Sequence, residues 1–492
     1  MYGCPQGQAF TSNTSWPYAE MISFASYNDP YPAWIYLNGP TFEWTTIQGP
    51  CLIPGTNIRS LNPFNLLARA QLKIVESTAA PGARYEVRFR LVDAGNVEYD
   101  AGQYVRVIRA DPVAPSQPLL PQGDTYNGSV QNLPAGNYKL LVQARLLDAG
   151  SIRFNLQFAS GQAAPTSIGG VPTGYASAKN VIAEGVNVSG WQAINEITFS
   201  TTKMLHIMPQ GYVQVDLGTA GETISVSLAL DGQSVVSDFS LAGGSREGFN
   251  LFGHFFNVPA GSHTLQLWAT NRNGTPTAMR WRQLEFLSFP ANGSGADMSK
   301  ADYGTTTVVS TDAPSSDQPV ASIFLGGSDK GWTKIAEFTM PFSTAAENWM
   351  GDAYVEFVGR GIDVAGTEAG DWSDPKIQIG VEAITGPHST DFSIISLAVP
   401  TGPAGISLFP EAMLWGNTPG NTIKLWIRKI GSTPSVPTKF RIRKRWIATA
   451  VVPFSEPAEN GCWEYNPSQT AIFADGFEQM QTLPGRWTGK LP

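Results

Sequence analysis

Charge is what this sequence has least of. Asp, Glu, Lys and Arg make up 15% of its 492 residues, against roughly 25% in an average soluble protein. Helices on a wet surface draw heavily on Glu, Lys and Arg, so long exposed helices are excluded as the main architecture. The net charge of −8 excludes a broadly basic face, and with it nucleic acid as the main partner. Apolar runs are short: none approaches the roughly 20 residues of a membrane-spanning helix, so no membrane span is expected. Cysteine is scarce. Cys4, Cys51 and Cys462 lie far apart without a C-x-x-C pair, so they dictate no disulfide framework, Cys4 and Cys51 being the closest in sequence. The opening stretch from Met1 to Phe10 lacks a basic n-region and an apolar h-region; the expectation is a signal already removed or an exit route that needs none.

Catalytic motifs are missing too. The sequence contains no G-x-S-x-G elbow, H-E-x-x-H pair, phosphate-binding loop or dinucleotide fingerprint, so the expectation is no enzyme and no cofactor. His206, His254, His263 and His388 are dispersed. His254 and His263 could meet across a hairpin, but two ligands alone do not make a metal site.

What the sequence has in quantity is Gly (50), Pro (36), Phe (25), Tyr (15) and Trp (14), with 42% hydrophobic residues. Such apolar content excludes general disorder, and aromatic runs punctuated by Gly and Pro are the material of strands and turns. A Gly, a Trp five or six residues on and an Ile three after that occur three times: Gly39, Trp44, Ile47; Gly185, Trp191, Ile194; Gly326, Trp332, Ile335. Each is followed by an alternating apolar run, clearest at Tyr85, Val87, Phe89, Leu91, at Ile224, Val226, Leu228, Leu230, and at Ile377, Ile379, Val381. Each copy then reaches a Pro-Gly turn before an aliphatic strand: Leu133-Pro134-Ala135-Gly136, Val258-Pro259-Ala260-Gly261 and Pro419-Gly420. Period-two alternation and repetition together predict an all-β chain of three tandem antiparallel β-sandwiches.

The expected organisation is an N-terminal arm (1–20), sandwiches at 21–160, 178–290 and 320–452, linkers at 161–177 and 291–319, and a tail (453–492). The linkers are read from Gly, Pro and Ser content. The tail carries Trp463, Tyr465, Phe473, Phe477 and Trp487, too aromatic for a solvated coil, and is expected to pack on the third sandwich or a neighbouring subunit.

Trp44, Trp191 and Trp332 recur at one place and are therefore read as core positions. Trp34, Trp268, Trp372, Trp415 and Trp426 are the candidate stacking platforms for sugar rings. Asp363, Glu368, Asp371 and Asp374 form an acidic, Gly-bearing loop, read as a solvated loop with calcium as its alternative occupant. Lys439 to Trp446 alternates basic with apolar residues at first and is read as a charged sheet edge, where cations discourage stray pairing; an anionic ligand or an acidic subunit surface is the alternative.

The Pro-Ala-Gly turn and the Trp-bearing early strand resemble the jelly-roll modules of carbohydrate-binding domains, adhesins and bacteriophage fibre or decoration proteins. Within the tail, Asp475-Gly476-Phe477-Glu478 is similar to a motif common in exported gammaproteobacterial proteins, although Gln479-Met480 replaces the usual Ser-Gly that follows. The resemblance implies a structural or adhesive protein of a cell surface or extracellular assembly. Its expected partners are other subunits and surface glycans, and a virion component of a bacteriophage is the alternative.

Overall fold

The computed structural model describes residues 10–12, 20–25, 34–47, 56–60, 63–109, 116–118, 122–168, 171–176, 180–186, 191–216, 224–240, 246–271, 276–291, 298–302, 306–310, 333–339, 347–357, 376–385, 388–398, 404–408, 422–430 and 438–453. Among them every regular element is a strand, and no helix is long and apolar enough to cross a membrane.

The first stretch supplies β1 (Phe10–Ser12), β2 (Glu20–Ala25), β3 (Trp34–Gly39), β4 (Thr45–Ile47), β5 (Thr56–Ser60), β6 (Phe64–Ser77), β7 (Arg84–Asp93), β8 (Glu98–Val107), β9 (Gln122–Leu133), β10 (Gly136–Leu146) and β11 (Gly150–Pro165). They make two sheets, β2/β3-β11-β6-β9 and β4/β5-β10-β7-β8, and β1 lies parallel on β5. A hairpin, β12 (Ser167–Ile168) and β13 (Val171–Pro172), leads into the second stretch.

That stretch contains β14 (Gly174–Ala176), β15 (Asn180–Val186), β16 (Gln192–Thr201), β17 (Leu205–Asp216), β18 (Ile224–Leu230), β19 (Gln233–Ser240), β20 (Arg246–Phe252), β21 (Phe255–Val258), β22 (Gly261–Asn271) and β23 (Thr277–Pro290). Its sheets are β14/β15-β23-β17-β20 and β16-β22-β18-β19. The third supplies β24 (Met298–Asp302), β25 (Thr306–Ser310), β26 (Thr333–Thr339), β27 (Glu347–Phe357), β28 (Lys376–Thr385), β29 (His388–Ala398), β30 (Ala404–Leu408), β31 (Thr422–Ile430) and β32 (Thr438–Pro453). Its sheets are β24/β25-β32-β27-β30 and β26-β31-β28-β29.

One strand order therefore recurs. Numbered 1 to 8 within each stretch, the strands form sheets 1-8-3-6 and 2-7-4-5, a jelly-roll order in which consecutive strands repeatedly switch sheets. The alternation read from the sequence sets the faces: Tyr85, Val87, Phe89 and Leu91 are buried in the first core, as are Ile224, Val226, Leu228 and Leu230 in the second. Turn chemistry agrees. Asp231 and Gly232, both at positive φ, make the two-residue turn between β18 and β19 that matches strand twist.

The two segments expected as linkers carry strands. The segment 161–177 holds the end of β11, the β12–β13 hairpin and β14, and within 291–319 β24 and β25 pair with β32. Gly, Pro and Ser content marks weak intrinsic strand preference, but a ladder against β11, β23 or β32 overrides it.

The sandwiches are joined by buried contacts. Between the first and second, Tyr104 meets Tyr212 edge-on at 4.6 Å, Arg106 Nη1 donates to the Gly248 carbonyl at 2.5 Å, and the Arg69 guanidinium lies 4.1 Å from the Phe252 ring centre. Between the second and third, fully buried Trp446 stacks on Tyr354, and both belong to the core cluster of the second sandwich. Lys444 Nζ donates to the Ser234 carbonyl at 2.7 Å.

Candidate functional site

Strand 2 of each sandwich starts immediately after the repeated tryptophan. Thr45 pairs with Ala144, Gln192 with Ala269 and Thr333 with Ile427, so the Trp positions are equivalent along the chain. They are not core positions, however. The residue that goes inward is the isoleucine: Ile47 and Ile335 are buried, and Ile194 packs against the second core. Trp191 is 43% exposed and Trp44 is half-buried on the outward side, which overturns the core reading for both. Trp332 lies outside the described residues. Under period-two alternation, residues three apart point to opposite faces, so an inward Ile47 puts Trp44 outside.

On the first sandwich the Trp44 indole has two guanidinium neighbours, Arg88 at 4.1 Å and Arg145 at 4.3 Å from the ring centre. Arg88 Nε donates to Gln143 Oε1 at 2.7 Å, and Gln143 Nε2 donates to Thr46 Oγ1 at 3.0 Å. Arg145 pairs with Glu86 and donates to the Phe42 carbonyl at 2.8 Å. Burial, reinforced by Arg90, pushes the Arg88 pKa down to about 10, which leaves it charged at neutral pH. With its neighbours so committed, this indole serves as a clamp across three strands.

The second sandwich carries a different arrangement. Trp268 is half-buried on β22 between Ala193 and Ser227. Its Nε1 donates to Gln266 Oε1 at 3.1 Å, and Gln266 Nε2 donates to Glu196 Oε2 at 3.3 Å. Trp191 lies two residues before Ala193, hence on the same face and diagonal to Trp268. In the third sandwich Trp426 occupies the position of Trp268. It stands half-buried on β31 between Lys334 and Gly380, and each strand-2 partner has a register shift beside it. The hydrogen bond from Lys334 holds the Glu337 carboxyl below its ordinary range. These faces combine an apolar ring with amide and carboxylate groups, a combination that can stack on a sugar ring and hydrogen-bond its hydroxyls.

The remaining candidates divide plainly. Trp34 opens β3 in the other sheet, opposite Asn155, so it does not join these faces. Trp372, Trp415, the loop of Asp363, Glu368, Asp371 and Asp374, the three cysteines and residues 454–492 of the tail lie outside the described residues. Among the described residues no three His, Cys, Asp or Glu side chains are grouped as a metal site needs. His254 does not meet His263. It stacks on Phe256 and meets Trp446 edge-on, whereas His263 pairs with Asp231 at 2.7 Å. The basic run from Lys439 is not a sheet edge, because β32 has partners on both sides; Arg443 pairs with Glu356 and Lys444 reaches the second sandwich.

No family model matches the chain, and no curated protein matches it. Among solved structures it is similar to PNGF-II, with 10% identity over 53% of this chain and 66% of that one and a TM-score of 0.23. The chain thus spans just under two thirds of that protein's length. It is also similar to the N-terminal CBM22-1-CBM22-2 tandem domain of Paenibacillus barcinonensis Xyn10C, with 12% identity over 56% and 98% and a TM-score of 0.20. A third likeness is to an archaeal virus protein described by its triple jelly roll fold and turret assembly, with 11% identity over 85% and 91% and a TM-score of 0.15. At such scores none of these likenesses carries an argument about function.

Proposed function

We propose that this chain is a non-enzymatic structural and adhesive subunit of an extracellular assembly or cell surface, with the outward faces around Trp191, Trp268 and Trp426 available to glycans. The observation that carries the reading is the burial of the joints. Trp446 is fully enclosed between two sandwiches, and Arg69 and Arg106 are buried where the first meets the second. Modules joined this way hold one another in fixed positions, as a building unit must, whereas modules on flexible linkers move independently. The second reading is a virion subunit. The strand order favours it as much as it favours a glycan-binding surface, since jelly rolls build both capsids and lectins.

Immunogold labelling with antibody against the purified chain tests both readings. Label on the cell surface or an extracellular matrix supports the first, and label on released particles supports the second. Label confined to the cytoplasm overturns both.

A further inference from the structure

The three sandwiches do more than follow one another. Strand 5 of the first, β8, packs on strand 6 of the second, β20. Strand 5 of the second, β19, packs on strand 6 of the third, β30, and β29 of the third returns to β9 of the first. The same pair of strands is used three times in the same direction, and the third use closes the circle. A contact between two different patches generates a ring when its rotation closes and a filament when it does not.

Polar burial marks where the copies meet. Thr125 and Asn127 of β9 are buried, at 9% and 1% exposure. Asn250 of β20 reaches both, donating to the Thr125 carbonyl at 3.2 Å and accepting from Asn127 Nδ2 at 3.4 Å. An isolated sandwich would leave such groups on a sheet edge to water; here another sandwich supplies their partners. Since β9 touches both β20 and β29, strand 6 of the first sandwich meets both of its neighbours.

We infer that the chain is a single-chain pseudo-trimer whose partners are further copies of itself, engaged through the three corners of the ring. This rests on the assembly reading above. Ring closure commits strands 5 and 6 of every sandwich, so head-to-tail growth through that contact stops at three. Strand 1 also touches another sandwich in each copy, β14 on β9, β24 on β21 and β2 on β32, so the sheet end that the ring uses least is strand 2, which occurs three times around the rim. A unit with three related contact sets meets three neighbours and tiles into a sheet or shell instead of a fibre. The 15% charge content suits a surface covered by its own kind, because charge is what interface cores are depleted of.

Small-angle X-ray scattering on the dilute full chain tests the ring. Compact packing gives a radius of gyration of about 23 Å, whereas three sandwiches in line give more than about 30 Å; the larger value overturns the ring. Asn250→Arg should shift the radius toward the larger value while far-UV circular dichroism stays β-type. An unchanged radius counts against the inference, and wild-type scattering decides the matter if the variant fails to fold. Negative-stain microscopy of the concentrated chain then tests the partner. Trefoil particles with three neighbours each support it, and linear fibres or persistently single particles overturn it while leaving the ring standing. Cytoplasmic immunogold label would instead sink the assembly reading without touching the scattering result.

Discussion

Tyr138 and His263 hold the same place in successive sandwiches: each stands two residues after the turn glycine and reaches back to the carbonyl of the proline four residues before it. Tyr138 Oη donates to Pro134 O at 2.7 Å, and His263 Nε2 lies 2.8 Å from Pro259 O. The preceding residues match as well, since Asn132 and Asn257 both adopt positive φ. The contact ties strand 7 to the turn that delivers it. His263→Tyr should therefore keep the proline contact and lose only Asp231, whereas His263→Ala loses both. We expect the alanine variant to cost about 1–3 kcal/mol and the tyrosine variant less than half of that, read by hydrogen exchange along β22.

Acid should weaken the second sandwich before it reaches the carboxylates. His206 is 6% exposed against Phe256, and burial, then the charge on His254, pushes its pKa down to about 4. In the unfolded chain the same group titrates near 6.5, so between those values the unfolded state binds the extra proton. Stability therefore falls as pH drops from about 6.5 to about 4, by up to about 3 kcal/mol for this one group. His206→Phe should flatten that part of the stability profile. An unchanged slope between pH 6.5 and 4 would assign the loss to other groups.

The repeated antiparallel β-sandwich is legible in the sequence because it rests on local rules, namely alternation at Tyr85 to Leu91, the Pro-Gly turns and repetition of the Trp-x-x-Ile signature, whereas the number and order of its strands are not. Recurrence of the tryptophan does not give its face, and the Ile three residues on implies the side opposite the core. The joints were not legible at all. Arg69, Arg106 and Trp446 are buried by strands from another sandwich, and a contact between residues hundreds of positions apart leaves no periodicity. For the same reason the run from Lys439 looked like a solvated edge: alternation shows which side chains share a face but not what covers that face. Of the candidate site, Trp268 and Trp426 were recognisable as aromatics outside the repeat signature, but only the strand register shows that they are equivalent.

Trp446 and Trp191 should respond to truncation in opposite ways. Trp446 is fully buried against Tyr354 and near His254, so Trp446→Ala removes a large ring from a joint that cannot close over it and should cost about 3–5 kcal/mol. Loss of amide protection should spread into β19, whose Val235 carbonyl accepts from the indole at 3.5 Å. Trp191→Ala, on the exposed face, should change stability by less than about 0.5 kcal/mol. If Trp191 serves a glycan, the same variant should lose binding on a polysaccharide affinity gel while its unfolding midpoint stays put.

The clamp around Trp44 is the sharpest test of why a repeated tryptophan lies outside the core. Two guanidiniums within 4.3 Å of its ring centre gain from its π face, and burial strengthens that gain because water competes less. Substituting Trp44 by Leu keeps apolar area but removes the quadrupole. Replacing Arg145 by Gln removes one cation and also breaks the pair with Glu86, so neither single variant isolates the contact. A double-mutant cycle does: the coupling between Trp44→Leu and Arg145→Gln should be about 0.5–2 kcal/mol in unfolding free energy. If the coupling is near zero, Trp44 is merely apolar cover for strands β4, β7 and β10, and Leu should serve as well in its place. A clear coupling means that the recurrent position was kept for its ring, which each sandwich then uses differently: held by arginines in the first and left 43% exposed in the second.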